Sequence, residues 1–249
     1  MNIPAPRFFL LVLLTVFASL GPIPAQAQSG SFIVSQHGHS VGTATVTFNA
    51  VPDGYNTTSV VRVAMQGLAY NLSKTERLTS ANALKHVQLS ATVNGSAVSV
   101  NAAPDAAQIL VNISANGRST TTRLAAHPAA VFLPDFDPGA LDTLLALAVA
   151  SNNPDLWAII PKQAGSIAPI QLATHADMQG TLDGKHVTVH HLVATIAGAD
   201  TDLFSGPENQ LLQAELPQEG FAVVRRGFVL TPPAKPSAPP ELPAQPAQQ

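Results

Sequence analysis

Two-residue turns between alternating apolar and polar residues are the feature that most constrains how this chain folds. The stretch "HVQLSATVNGSAVSVNA" (86–102) alternates regularly up to Asn94-Gly95. An Asn-Gly pair supplies the two positive-φ residues that a type I′ turn requires. If Asn94-Gly95 is the loop, Leu89 faces Val100, and the apolar residues of both strands share one side of the sheet. The pattern therefore predicts a β-hairpin with a fixed register.

The same signal recurs at two other places. Asn116-Gly117 lies in "ILVNISANGRSTTTRL" (109–124), and a turn there sets Val111 against Thr122. Asp183-Gly184 lies in "TLDGKHV" and sets Met178 against Val189. In each case the turn chemistry and the alternation agree on one register. Period-two stretches also predict strands at 31–36, 40–50 and 56–65, with 68–79 continuing the meander.

One segment has helical rather than strand periodicity. In "LPDFDPGALDTLLALAVASNNP", Asp137 is predicted to be the N-cap and Pro138 the first helical residue. Leucines follow at helical spacing, and residues 152–154 predict the end of the helix. Asp142 lies in the first turns, where a carboxylate complements the helix dipole.

These elements predict a mainly β fold. We expect roughly ten strands, joined mostly by short turns, and a single helix. A sheet this wide must curl, and curling reduces its exposed edges. The predicted architecture is a strongly curved antiparallel sheet or partial barrel, with the helix at 138–151 packed in its concavity.

The two ends of the chain differ from the region between them. Residues 1–27 have one basic residue, an apolar run at 8–20 and the pair Ala25 and Ala27, which is typical of a cleaved secretory signal peptide. Residues 231–249 are rich in proline and predict a disordered tail. We therefore expect one β-rich domain at 28–230, exported to the periplasm or the extracellular space, with no transmembrane span after cleavage. The sequence has no cysteine, so burial must stabilise this domain without disulfides.

Three histidines in "KHVTVHHL" (185–192) raise the question of a metal site. His186 and His190 are four strand residues, about 13 Å, apart, and zinc ligands lie only ~2.1 Å from the ion. His191 points to the opposite face. His175, predicted opposite Leu192, shares a face with Asp177, which is predicted opposite His190. His175, Asp177 and His190 could hold a metal with water, or an Asp–His pair could act in acid–base chemistry. A solvent-facing polar patch is the alternative.

Composition and motifs exclude several classes of function. Charged residues make up 11% of the sequence and the formal net charge is −3, so no basic surface favours nucleic acid. The chain has no nucleophile elbow, zinc-protease motif or phosphate-binding glycine loop. The pair Asp200 and Asp202 matches the spacing of glycosidase carboxylates only loosely, and aromatic content is low (5%). No cofactor is expected.

Both ends of the domain carry a further pattern: Gly42 in "SVGTATVTF" at the start, and at the end Asp202, Leu203, Phe204, Asn209, Leu211, Leu212, Pro217, Val224 and Arg225. In these residues the chain resembles uncharacterised exported bacterial β-rich proteins, whereas the middle of the chain is unmatched. Such proteins are similar in architecture to periplasmic lipid- and lipoprotein-carrier half-barrels. The resemblance implies a fold and transfers no catalytic residue.

Three functions are consistent with these patterns. The first is a noncatalytic exported domain that binds an apolar small molecule or lipid in the concavity of its sheet. The second is an envelope scaffold that binds a protein partner through a sheet face or the proline-rich tail. The third is a metal-assisted hydrolase that uses His175, Asp177 and His190.

Overall fold

The structure of the protein is a computed structural model that describes residues 28–150, 155–162, 165–207 and 209–232. This part of the chain contains seventeen strands and one helix. The mainly β fold class is confirmed, but the expectation of roughly ten strands is too low. Several strands are only three to five residues long, too short to show a clear alternation. The predicted signal peptide, the predicted helix end at 152–154 and the tail from 233 lie outside the described residues.

The first half of the domain is an up-and-down meander. Its strands are β1 (Gln28–Gln36), β2 (His39–Val51), β3 (Gly54–Met65), β4 (Leu68–Leu78), β5 (Leu84–Val93), β6 (Ser96–Asp105), β7 (Gln108–Ala115) and β8 (Arg118–Ala125). Each strand pairs antiparallel with the next. Because the connections are short, every strand lies beside its neighbour in sequence.

The second half contains the helix and the remaining strands. They are β9 (Ala129–Phe132), α1 (Pro138–Ala150), β10 (Leu156–Ile160), β11 (Ser166–Thr174), β12 (Met178–Leu182), β13 (Lys185–Ile196), β14 (Ala199–Ser205), β15 (Leu211–Leu216), β16 (Phe221–Arg225) and β17 (Phe228–Leu230). Strands β9 and β10 pair parallel, and α1 forms the crossover between them. The other pairs here are antiparallel, and β16 joins β1 of the first half.

The main sheet is curved, and its two ends approach each other without pairing. Its hydrogen-bonded order begins at β8, follows the meander back to β1, and continues through β16, β15, β14, β13, β11 and β10 to β9. Among the described strands, β8 and β9 form no ladder with each other. However, β9 packs against β5, and β8 packs against β11. The predicted curved sheet is therefore confirmed.

The predicted hairpin registers are also confirmed. Leu89 faces Val100, Val111 faces Thr122 and Met178 faces Val189. In the three turns the first residue has φ near +50° (49° at Asn94) and the glycine has φ between 71° and 82°. These are the conformations that a type I′ turn needs.

The inner face of the sheet packs around α1. Leucines of the helix are fully or nearly buried together with alternate residues of the strands, such as Val61 and Leu203. The helix contacts β2, β3, β9 and β15. The prediction of a helix in the concavity of the sheet is therefore correct.

A smaller layer covers part of the outer face. The first half of β13 leaves the main sheet and pairs with β12, which pairs with β17. This three-stranded flap encloses a second core of Val189, Phe204, Leu212 and Phe228. Leu211 and Leu212 thus belong to different cores because adjacent strand residues point to opposite faces. Within the described residues, no helix is long and apolar enough to cross a membrane.

Candidate functional site

A cluster of three charged side chains lies inside the apolar core, between β4 and the start of α1. The side chains of Lys74 and Asp137 are 0% exposed, and that of Glu76 is 1% exposed. Lys74 Nζ lies 2.8 Å from Glu76 Oε2 and 2.6 Å from Asp137 Oδ2. Charges are rarely buried unless they are paired. We call these three residues the buried charge cluster.

The first turn of α1 places Asp137 in this cluster. The backbone N–H of Gly139 donates to Asp137 Oδ1 (2.9 Å), so the predicted N-cap is confirmed. A Cβ on Gly139 would lie 2.5 Å from Ser59 Oγ and 2.9 Å from Thr57 Cγ2. The absence of a side chain there lets the helix press against β3, which brings Asp137 close to Lys74.

Burial and mutual attraction shift the ionisation of the cluster in opposing directions. Burial by itself lowers the pKa of Lys74, but the carboxylates of Asp137 and Glu76 raise it above its ordinary value. Burial raises the pKa of Glu76, and the charge of Lys74 only partly opposes this. Burial also raises the pKa of the nearby Tyr70, with the charges of Asp135 and Asp137 adding to the effect.

Several polar atoms around the cluster have no hydrogen-bond partner among the described residues. They are Glu76 Oε1, Thr57 Oγ1 and Ser59 Oγ. Unpaired buried polar atoms are rare in proteins, since each forfeits its hydration. One carboxylate oxygen of Glu76 is thus buried in the core without a hydrogen-bond partner from the described part of the chain.

A cavity of about 140 Å³ lies on the inner face beside the cluster. Its walls come from the segment 133–137, from α1 and from β13 to β16, and they are mainly apolar. The lining side chains include Leu133, Phe136, Leu141, Ile160, Ile196, Leu216 and Val223. Lys162 and Asp135 line the cavity as well and form an exposed ion pair of 2.9 Å. Beside the cavity, α1 packs against the inner face of the sheet.

Phe136 holds an unusual backbone conformation at this cavity. Its φ is +57°, a region that bulky residues seldom adopt. Its ring packs against Phe221 (centroids 4.8 Å apart) and Tyr70 (6.2 Å). Aromatic packing and the N-cap at Asp137 thus fix a conformation that by itself costs about 1–3 kcal/mol.

Only two of the three predicted metal ligands come together. Asp177 Oδ1 lies 2.9 Å from His190 Nδ1, as their predicted cross-strand position requires. His175 does not share their site. Thr174 rather than His175 faces Leu192, and Met178 faces Val189. Three residues, 175–177, therefore oppose two, 190–191, which is the arrangement of a β-bulge. The predicted pairing of His175 with Leu192 is wrong for this reason.

The bulge places His175 beside His191 instead. Their ring centroids are 4.8 Å apart, and His191 stacks on Phe204 at 4.6 Å. His191 Nε2 lies 2.7 Å from Asp202 Oδ1. Across the described residues, no group of three or more His, Asp or Glu side chains is arranged to hold a metal ion.

The close carboxylates of the sequence, Asp200 with Asp202 and Asp135 with Asp137, each have other partners. Asp202 binds His191, whereas Asp200 Oδ1 accepts from the Thr195 hydroxyl (2.6 Å). Asp135 pairs with Lys162 rather than with a second carboxylate. Neither pair forms an opposed couple of carboxyl groups of the kind that glycoside hydrolysis uses.

The outer face of β4 to β8 carries two rows of uncharged polar side chains. One row consists of Ser73, Ser90, Ser99, Ser114 and Ser119, and the next consists of Thr75, Gln88, Asn101, Asn112 and Thr121. Two shallow grooves of about 700 and 420 Å³ lie along these rows. We call this surface the hydroxyl–amide face.

No protein-family model, curated protein or solved structure matches this chain significantly. The likeness to lipid-carrier half-barrels therefore stays a prediction from the sequence.

The buried charge cluster was missed by the sequence reasoning, although β4 carries a signal for it. In "LSKTERL", Lys74 and Glu76 alternate in step with Leu72 and Leu78, so all four residues point to the same face. A lysine and a glutamate in register with core leucines indicate a buried ion pair. The third member, Asp137, comes from a distant part of the chain, and no local pattern connects it to β4.

Proposed function

We propose that this chain is an exported, noncatalytic domain that binds the apolar part of a small amphiphile, such as a fatty acid. The observation that supports the proposal is the largely apolar cavity of about 140 Å³ on the inner face. Export rests on the signal-like sequence at 1–27. No cluster with the geometry of a hydrolytic site accompanies this cavity in the part of the chain that the structure describes.

The volume of the cavity limits what it admits. A dry apolar cavity of about 150 Å³ accepts a molecule of the size of benzene. The cavity therefore suits the end of one alkyl chain, and not a whole lipid. Entry of a longer chain requires the segment 133–136 to move outward, since α1 packs against the inner face of the sheet beside the cavity.

The rim of the cavity suits an anionic headgroup. Lys162 is 59% exposed and pairs there with Asp135, whose side chain is 42% exposed. An exposed pair of this kind contributes only about 0–1 kcal/mol. A ligand carboxylate can therefore replace Asp135 as the partner of Lys162 at little cost.

A titration with fatty acids tests the proposal. Isothermal titration of the purified protein with saturated fatty acids of increasing length should show binding that strengthens with length and then levels off. Ala199 lies at the exposed mouth of the cavity, so Ala199→Trp should block it and weaken binding by about tenfold or more.

Val229→Trp is the matched control, because Val229 is 64% exposed on β17, outside the cavity lining. It should bind as the unaltered protein does. Absence of heat at saturating fatty acid, or equal binding by both tryptophan variants, would contradict the proposal.

A second function, an envelope scaffold, is favoured by the hydroxyl–amide face. Its rows offer hydroxyl and amide groups and no carboxylate, which suits an uncharged, hydrogen-bonding polymer such as a neutral glycan. Replacing Ser90 and Ser99 together by arginine should abolish co-sedimentation with such a glycan. Unchanged co-sedimentation would remove the support for this second function.

A further inference from the structure

The buried charge cluster contains an amine in direct contact with two carboxylates, inside a core closed to solvent. With ordinary ionisation, Lys74 carries one positive charge while Glu76 and Asp137 carry two negative charges. A buried set with an uncompensated charge is strongly disfavoured. The same contacts bring together the reactants of an amide bond.

We propose that Lys74 and Asp137 become joined by an intramolecular isopeptide bond, and that Glu76 is the catalytic residue that transfers the protons. Lys74 Nζ attacks Cγ of Asp137, a C–N bond forms, and the Cγ–Oδ2 bond breaks. The ammonium and the carboxylate become an amide and one molecule of water. No oxidant, reductant or cofactor is required, and Glu76 ends the reaction as it began.

The position of Glu76 suits proton transfer. Glu76 Oε2 lies 2.8 Å from Nζ and can take the proton that makes the amine nucleophilic. The same carboxyl group can then deliver a proton to Oδ2 of Asp137 as it leaves as water. Its second oxygen, Oε1, is buried and has no hydrogen-bond partner within the ranges that the structure describes. The raised pKa of Glu76 favours a carboxyl group that holds a proton for this step.

The start of α1 supplies electrostatic stabilisation for the attacked carboxyl group. The Gly139 N–H donates to Oδ1, the oxygen that stays on Asp137. In the tetrahedral intermediate this oxygen gains negative charge, which a backbone N–H at a helix N-terminus stabilises. After the reaction the same oxygen is the amide carbonyl, so the N-cap is retained.

The enclosure favours amide formation over its reversal. The side chains of all three residues are 0–1% exposed, so water does not surround the carboxyl group or the product. Groups held in contact by a folded protein react with effective concentrations of about 10⁵–10⁸ M.

The exposed pair Lys85 and Asp53 provides an internal comparison. Lys85 Nζ lies 2.7 Å from Asp53 Oδ2, as close as the atoms of the buried pair, but these side chains are 36% and 65% exposed. Water solvates both charged groups of this exposed pair, which favours the ion pair over an amide. We therefore expect a bond at 74–137 and none at 53–85.

Mass spectrometry of the full chain under denaturing conditions tests the proposal. The intact mass should be lower than the sequence mass by one water molecule, after the chain ends have been mapped by peptides. Digestion should yield one branched peptide that links Lys74 to Asp137. Full mass in folded protein, with Lys74 and Asp137 recovered in separate unmodified peptides, would overturn the proposal.

Loss of water at aspartyl–glycine pairs must be distinguished from the bond. Asp53-Gly54 and Asp183-Gly184 can each lose one water by forming a succinimide. Hydroxylamine cleaves succinimides and leaves isopeptide bonds intact. A water loss that maps to these two sites, and not to Lys74 and Asp137, counts against the proposal.

Variants separate the role of Glu76 from that of folding. Glu76→Gln keeps a hydrogen-bonding side chain but cannot exchange protons, and it should slow bond formation by about a hundredfold or more. Its circular dichroism should match that of the unaltered protein. Lys85→Met should form the bond between Lys74 and Asp137 to the same yield as the unaltered protein. Equal bond yield in folded Glu76→Gln would overturn the assignment of Glu76.

Discussion

Replacing Lys74 by methionine should destabilise the protein strongly at neutral pH. Methionine fills a similar volume but leaves Glu76 and Asp137 as two buried carboxylates without a cation. Removing one partner of a buried ion pair costs about 3–5 kcal/mol. This range applies here because the side chains of all three residues are only 0–1% exposed. The free energy of unfolding should fall by that amount from the ionic interaction alone.

The proposed bond makes the expected loss larger. Sixty-three positions separate residue 137 from residue 74, and a cross-link that closes a loop of this length stabilises a fold by about 4 kcal/mol. In cross-linked protein, Lys74→Met should therefore cost about 7–9 kcal/mol. The size of the loss thus reports whether the buried contact is ionic or covalent.

Urea unfolding followed by circular dichroism measures this difference. Lys85→Met is the matched control, because it breaks an exposed pair of similar length and should change stability by only about 0–1 kcal/mol. Lowering the pH protonates the orphaned carboxyl groups, so the penalty of Lys74→Met should shrink in acid. A loss no larger than that of Lys85→Met would refute the reasoning.

Three further changes have expected outcomes. Burial raises the pKa of Asp142 to about 7, although the Leu211 N–H, which donates to its carboxylate, acts to lower it. Folding therefore favours the protonated form of Asp142. The free energy of unfolding should fall by up to about 4 kcal/mol as pH rises from about 4 to 7. In Asp142→Asn, the midpoint of urea unfolding should decline less over this pH range than in the unaltered protein. Gly139→Ala should cost about 1–3 kcal/mol through the contact of its Cβ with Ser59 Oγ, and adding Ser59→Ala should recover part of the loss. Asn94→Gly keeps the turn but removes hydrogen bonds to a neighbouring turn, so thermal unfolding should report a loss of about 1 kcal/mol.

The local part of the fold could be predicted from the sequence because its information is local. Asn94-Gly95, Asn116-Gly117 and Asp183-Gly184 each determine which residues face one another within a few positions. Asp137 and Pro138 mark the start of α1 for the same reason. In all four places, backbone preference and hydrophobic alternation point to one structure.

Prediction failed where one extra residue changes which face a side chain occupies. Regular alternation predicts that the register of β12 with β13 continues through 175–177. The bulge there shifts the pairing of β11 by one residue, and a shift of one residue reverses the faces. No turn dipeptide marks this position, so no local sequence signal predicts that His175 packs on His191.

The buried charge cluster depends on a contact that no local rule supplies. Lys74 and Glu76 lie on one strand of the first half, whereas Asp137 follows the second half's first strand. Their meeting requires the sheet to curl far enough to enclose α1 and requires Gly139 to admit the helix onto β3. Sequence periodicity predicts which residues are buried. Which of the buried residues contact one another depends on how the whole sheet curves.

The cavity and the buried charge cluster share the segment 133–137, which links the two proposals physically. Asp137 is buried in the core at one end of this segment, whereas Asp135 forms an exposed ion pair with Lys162. Between them, Phe136 keeps its left-handed backbone through ring packing. A segment that opens for a ligand must therefore pivot at Asp137 and separate at Asp135. A covalent anchor at Asp137 would keep α1 and the core in place during that movement, so that admission of an alkyl chain displaces the segment alone and leaves the fold around it intact.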